Sequence, residues 1–180
     1  MGGLTKRVPG VQPVGWRLAG AVVGGALHGL CFPPAGLWPF AFIALAPLVA
    51  VARGGGRRAG FGLGWLAGTV AASIATTPWI TAATRDYFRQ GPLGAILFAS
   101  LVGQVFHALP TAVFGAVVPR LARLASAPLR VLALAATWTA LEFARANLLT
   151  GAPWDLLAHA LYAHPLWIQS ADVGGTFLIS

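Results

Sequence analysis

The chain of 180 residues is 57% hydrophobic and only 9% charged, with a mean hydropathy of +0.76. Soluble domains carry roughly 25% charged residues, so a water-facing globule is excluded, and disorder is excluded with it because disordered chains are charge-rich and poor in apolar residues. One cysteine provides no disulfide framework and no Cys/His cluster has zinc spacing, so neither a metal nor a cofactor is expected.

In chain order, residues 1–15 hold Gly2, Gly3, Pro9, Gly10 and Pro13 and predict a loose cytoplasmic tail. Lys6-Arg7 followed by an apolar run could open a signal peptide, but no small-residue cleavage site follows and the next segment is apolar again. A lipoprotein signal is equally unsuited, because His28 stands where a Leu is needed before Cys31. Residues 18–52 are charge-free, too long for one bilayer span of about 20 residues. Phe32-Pro33-Pro34-Ala35-Gly36 divides them and predicts two short helices, 16–31 and 37–52, joined by a tight hairpin.

Residues 59–84 form the third expected helix. Its Gly60, Gly62, Gly64 and Gly68 suit either close helix–helix approach or the plain tolerance of membrane helices for glycine, and Trp79, Tyr87 and Phe88 near its far end suit an aromatic belt. Residues 90–119 form the fourth. Gln104 and His107, three apart on one face, should point at protein or water, with an interhelical hydrogen bond favoured over a substrate role. Residues 131–149 form the fifth, interrupted only by Glu142 and Arg145, an i, i+3 pair that could serve as a structural salt bridge or meet a lipid headgroup. Gly151 and Pro153 end that helix, and Trp154 suits an interface. Residues 156–168, broken by His159, His164 and Pro165, predict an interfacial or re-entrant segment whose histidines are wet surface residues. Residues 172–180 look like the start of a sixth helix. The expected fold is thus an all-α, multi-pass membrane bundle of about five spans over residues 16–180, incomplete at its C-terminus.

The basic residues orient it. Lys6, Arg7 and Arg17, then Arg53, Arg57 and Arg58, then Arg120, Arg123 and Arg130 all fall on one side if every run spans; the other side receives Arg85 and Arg89, with Asp86 between them. Positive charge stays cytoplasmic, so the N-terminus is expected inside. Topology accounts for the net charge of +8 without a nucleic-acid partner.

Three segments, in order, resemble one family. Residues 30–39, Leu-Cys-Phe-Pro-Pro-Ala-Gly-Leu-Trp-Pro, resemble the first hairpin of the bacterial apolipoprotein N-acyltransferases. The stretch from Trp138 through Glu142 and Arg145 to Trp154 is similar to that family's fifth-helix region, and Gln169 to Gly175 is similar to the approach to its next helix. The resemblance runs over residues 16–180. It implies an inner-membrane enzyme that takes an acyl chain from a phospholipid donor, holds it as a cysteine thioester, and transfers it to the N-terminal diacylglyceryl cysteine of an apolipoprotein acceptor. It also implies a Glu, Lys and Cys set in a nitrilase-like periplasmic domain that comes later than anything in these residues. The sequence departs from the family there. Its lysine is Lys6, on the tail, and its cysteine is Cys31, at the opposite face; a core of about 30 Å would separate them. Cys31 is expected to be a packing residue, and residues 1–180 alone are expected to be inactive, with no catalytic residue among them.

By the same resemblance, Glu142, Arg145 and Trp154 are the candidates for lining an opening through which membrane lipid and lipid-tailed substrates enter from the side. Two other classes fit the composition. One is a non-catalytic membrane anchor like that of some polyprenol-phosphate glycosyltransferases. The other is a small permease subunit, which would call for paired broken helices at the midplane; none is evident in the sequence.

Overall fold

The computed structural model describes residues 12–148 and 150–180. Lys6, Arg7 and most of the expected tail, together with Leu149, lie outside the described residues. Among the described residues the secondary structure is helical, with no strand. The helices are α1 (Val14–Leu30), α2 (Ala46–Ala52), α3 (Arg57–Ala75), α4 (Thr77–Asp86), α5 (Pro92–Gly103), α6 (Leu109–Leu121), α7 (Ala127–Asn147), α8 (Ala171–Gly174) and α9 (Thr176–Ile179).

Prolines decide where the expected helices break. The second expected helix is a 3₁₀ turn, Trp38–Phe42, followed by the short α2. Pro39 and Pro47 are the cause: each lacks an N–H, and the ring of Pro47 would strike the carbonyl four residues back. The third expected helix is α3 and α4, bent by 49° at Thr76, where Pro78 sits in the first turn of α4. The fourth is continuous but not uniform. Gln104–Ala108 is a π-turn, and Pro110 follows it in the first turn of α6. The fifth is α7, started by Ser126, whose hydroxyl accepts from the Leu129 N–H at 3.2 Å. The expected sixth helix appears as α9, following Gly175 at φ +64°, a left-handed value that suits glycine.

By length and composition, Pro92–Leu121 can cross a membrane, with 30 residues and a mean hydropathy of 1.7, and the bent α3–α4 pair adds a second candidate if taken as one span. The helical bundle expected from the sequence is therefore present, but of its five expected spans only the fourth, or the third and fourth, pass that test alone. The chain also contains a broken helix that the sequence pattern did not disclose.

α3 is the central element, and its glycines are contact points. A Cβ on Gly60 or Gly64 would strike the backbone of α6 at Gly115 or Thr111, one on Gly68 would strike the π-turn at Ala108, and Gly25 of α1 lies equally close to the Ala67 carbonyl of α3. Helices this close gain dispersion contacts that bulkier residues would prevent. Around them Leu48, Val51, Leu63, Phe114, Val118 and Trp138 form the main apolar cluster. A second cluster holds Cys31, buried with Phe32, Ala44, Ala75 and Ala160, its thiol donating to the Leu27 carbonyl at 3.1 Å.

The packing also gathers the arginines. Arg17 donates from Nε to the Val51 carbonyl at 3.3 Å, next to the α2–α3 connection, and the Gly60–Gly115 contact sets the start of α3 beside the end of α6. Arg17, Arg53, Arg57, Arg58, Arg120 and Arg123 therefore share one end of the bundle.

Replacing Gly64 by Val should lower the thermal unfolding midpoint by an amount matching at least ~1–3 kcal/mol, the usual cost of overpacking. Gly62→Ala meets open space inside the same helix and should raise the midpoint slightly, by the ~0.4–1 kcal/mol of a helical Gly→Ala replacement. Unfolding followed by circular dichroism in detergent or bilayer discs compares the two.

Candidate functional site

Pro110 sets the site in motion. Without an N–H it leaves the Phe106 carbonyl short of its helical partner, and Arg145 of α7 donates to that oxygen from Nη1 at 3.4 Å. The same guanidinium donates from Nη2 to the Asp155 carbonyl at 2.7 Å and lies 3.8 Å from Glu142 Oε1, one turn earlier on α7. Glu142 Oε1 in turn accepts from the Leu157 N–H at 2.8 Å. Both ionic side chains are buried, Glu142 at 2% and Arg145 at 8% exposure. A lone buried charge would be expensive; here each has its counter-ion and carbonyl or N–H partners.

Thr76, at the bend between α3 and α4, joins this group from the other side. Its hydroxyl donates to Asp155 Oδ2 at 2.7 Å and lies 2.8 Å from His107 Nε2. A hydroxyl has one proton to give, so with that proton on the carboxylate the His107 Nε2 must be the donor to Thr76. Arg145 Nη1, 3.4 Å from the same nitrogen, is then a neighbour of His107 and not its donor, since a guanidinium cannot accept. Asp155 itself has φ +51°, a left-handed value that non-glycine residues adopt rarely. Its side chain and carbonyl are both held, which is what sustains such a conformation.

Burial pushes the Asp155 carboxyl up, but its hydrogen bonds with His107 and Thr76 and the nearby positive charges outweigh it and hold the group below its ordinary range. With the folded value below the unfolded value of about 3.9, the contribution of Asp155 to stability is complete above that pH and is lost only as pH falls through the lower folded value.

Four chain segments that sequence reading kept apart thus meet: the α3–α4 bend, the π-turn, the end of α7, and the loop at 150–157. The loop is held at both ends, since the Ala152 N–H also donates to the Arg145 carbonyl at 2.8 Å. Gln104, the other polar residue of the π-turn, accepts from Thr69 Oγ1 at 3.1 Å, so both members of the Gln104–His107 pair make interhelical hydrogen bonds.

Of the sequence candidates, Glu142 and Arg145 are brought together, but inside the bundle and not on a surface. Trp154 is at the surface, 40% exposed, with its ring centroid 5.2 Å from Trp79 and 6.5 Å from Phe106 in edge-on packing. Asp155, Thr76 and His28 were not singled out by sequence. Asp155 had a signal: it is one of only 4 acids in the chain, beside a helix stop, in apolar surroundings. His159 is exposed, while His164 stacks at 4.3 Å on Trp38; that stack, extended by Phe42 and Trp167, ties the segment after Pro165 to the first hairpin.

Beside this polar group runs an apolar groove of about 430 Å³, within the roughly 300–1,000 Å³ of ordinary ligand sites. It is lined by Phe42, Leu45 and Val49 of the 38–52 segment, by Leu134, Ala135 and Trp138 of α7, by Phe114 of α6, and by Leu157 and Leu161. No group of three or more His, Cys, Asp or Glu with metal-binding geometry occurs among the described residues.

The model of the apolipoprotein N-acyltransferase N-terminal domain matches residues 24–180. Relatives named apolipoprotein N-acyltransferase include one from Geobacter metallireducens, 34% identical over 169 residues, covering 89% of this chain and 30% of that protein. One from Pseudomonas paraeruginosa is 36% identical over 164 residues, with 89% and 31% covered, and one from Allorhizobium ampelinum is 32% identical over 190 residues, with 92% and 33% covered. The chain spans about a third of the length of these relatives and corresponds to their N-terminal part.

Replacing Arg145 by Leu leaves Glu142 as an uncompensated buried charge and should cost ~3–5 kcal/mol. The double replacement Arg145→Leu, Glu142→Leu should cost less than Arg145→Leu alone. Unfolding midpoints of the single and double variants, measured side by side, check the sign.

Proposed function

Because the chain belongs to the apolipoprotein N-acyltransferase family, as its N-terminal domain, we propose that it is the membrane-embedded part of an enzyme that moves an acyl chain from phospholipid to the N-terminal diacylglyceryl cysteine of lipoproteins. The observation that carries this is the family match over residues 24–180, joined to a structure in which an apolar groove lies beside an anchored loop. Its place would be the bacterial inner membrane, multi-pass, with the clustered arginines and the tail on the cytoplasmic side. Residues 16–180 would be the membrane domain, with five spans built from α1, the 38–52 segment, α3–α4, α5–α6 and α7.

In this reading the work of the domain is positional. The groove between Phe42, Leu45 and Leu134 takes an acyl chain of a lipid-tailed substrate, whose transfer from water to such a surface is favourable by about 0.8 kcal/mol per buried CH₂. Trp154 forms the rim of the lateral opening, at the depth where an amphipathic ring is stable. Glu142 and Arg145 stand behind it and hold the loop that carries it. The thioester chemistry needs a thiol, a base and an oxyanion donor. Cys31, the one cysteine of the sequence, is buried and unsuited to the thiol's part, so in this reading residues 1–180 alone carry no acyl transfer.

Complementation tests this. A strain depleted of its own N-acyltransferase receives either residues 1–180 or the full reading frame that encodes them, and lipoprotein N-acylation is read by mass spectrometry. Restoration by the full frame only is the expected result. Failure of the full frame despite correct insertion would favour an anchor or a permease subunit. In the full frame, Ala135→Trp, which fills the groove from an exposed helix face, should lower acylation several-fold while leaving the unfolding midpoint in place.

A further inference from the structure

Besides Arg17 Nη2, three buried side-chain polar atoms among the described residues find no hydrogen-bond partner: His28 Nε2, Trp138 Nε1 and Glu142 Oε2. Their side chains are 4%, 4% and 2% exposed. They come from distant parts of the chain, His28 from α1 and the other two from α7, yet their residues all line one small, partly open chamber with Phe106, His107, Thr111 and Arg145. The chamber measures about 10 Å³. A single water needs about 10–15 Å³ on this measure and two to four polar partners.

We propose that this chamber is a binding site for one water molecule, bridging α1 to α7 through His28, Trp138 and Glu142. Chemistry narrows the occupant. An indole N–H only donates and an ionised carboxylate oxygen only accepts, so the ligand must both accept and donate, which a water does. A cation is disfavoured by the Arg145 guanidinium on the same wall, and an anion by the Glu142 carboxylate. Anything larger than water exceeds the volume. The water accepts from Trp138 Nε1, donates one proton to Glu142 Oε2, and with its remaining capacity meets His28 Nε2 in either tautomer.

The bridge has a structural consequence. α1 and α7 meet where the His28 and Trp138 rings pack edge-on, centroids 5.3 Å apart. Ring packing alone leaves Glu142 with Oε1 bonded to the Leu157 N–H and Oε2 without a hydrogen bond of good geometry, although the Trp138 and Ser180 side chains stand close to the carboxylate. The water satisfies the second oxygen and makes Glu142 the point where the first helix, the fifth expected span and the outer loop are tied together.

The test uses the full-length protein. A crystal structure in a lipidic mesophase, at a resolution that shows ordered water, should contain a peak within hydrogen-bond distance of both Trp138 Nε1 and Glu142 Oε2. Solid-state NMR of ¹⁵N-tryptophan-labelled protein in bilayers gives a second readout: the Trp138 indole N–H, identified by its loss in Trp138→Phe, should receive magnetisation from a long-lived water. Direct bonding of Trp138 Nε1 to Glu142 Oε2, or no peak with the three side chains unmoved, overturns the proposal. So does the absence of transfer from water to that N–H. If Trp138→Phe does not fold, the density at the unmodified site decides alone.

Discussion

Arg145 takes a permanent charge into the bundle, beside the buried polar side chains of Thr76, His107 and Glu142, and the arrangement around it follows from that charge. A guanidinium cannot shed its proton, so every partner must be assembled by the fold. The carbonyl partners come from irregular backbone, a proline-interrupted turn and a loop, because the interior of a regular helix has no spare carbonyls. Pro110 frees the Phe106 oxygen, and the left-handed turn at Asp155 aims a second carbonyl at Nη2. The helix-breaking residues that look unfavourable one at a time thus provide the acceptors that a buried cation needs. Hydrocarbon tolerates irregular backbone only where protein covers it, and here each irregularity covers another.

The glycines of α3 and the polar group solve complementary parts of one packing problem. Gly60, Gly64 and Gly68 bring α3 against α6 so closely that the end of α3 arrives beside the π-turn. Only then can Thr76 span from His107 to Asp155 with one hydroxyl. A wider α3–α6 separation would leave Thr76 short of His107 and would unpair the Asp155 carboxylate, which in low dielectric is costly. Van der Waals contact in one half of the helix pair therefore sets the hydrogen-bond geometry in the other.

What the sequence disclosed follows from the range over which each signal acts. Hydropathy and charge are properties of runs of residues, so the apolar segments, the hairpin at Pro33-Pro34 and the basic clusters were legible, as was the Glu142–Arg145 pair at one helical turn. The Thr76–Asp155 bond joins residues 79 apart, and no local pattern marks it. Helix breaks were visible in principle at Pro47, Pro78 and Pro110, but a proline in the first turn of a helix and a proline inside one look alike in a composition window. That ambiguity is why the 37–52 helix was expected whole and is found as a 3₁₀ turn and a short helix, and why the 59–84 helix is found bent.

Trp138 belongs to both chemistries of the molecule. It lines both the apolar groove and the small polar chamber, while Leu157, which also lines the groove, has its N–H on Glu142. The groove is thus bounded on one side by side chains that only pack and on the other by segments fixed through directional bonds. Packed aliphatic side chains can shift by changing rotamers; segments bonded to a buried ion pair cannot move without unpairing a buried charge. An apolar chain lying in such a groove would be free to vary along its length yet be registered where the bonded segments stand.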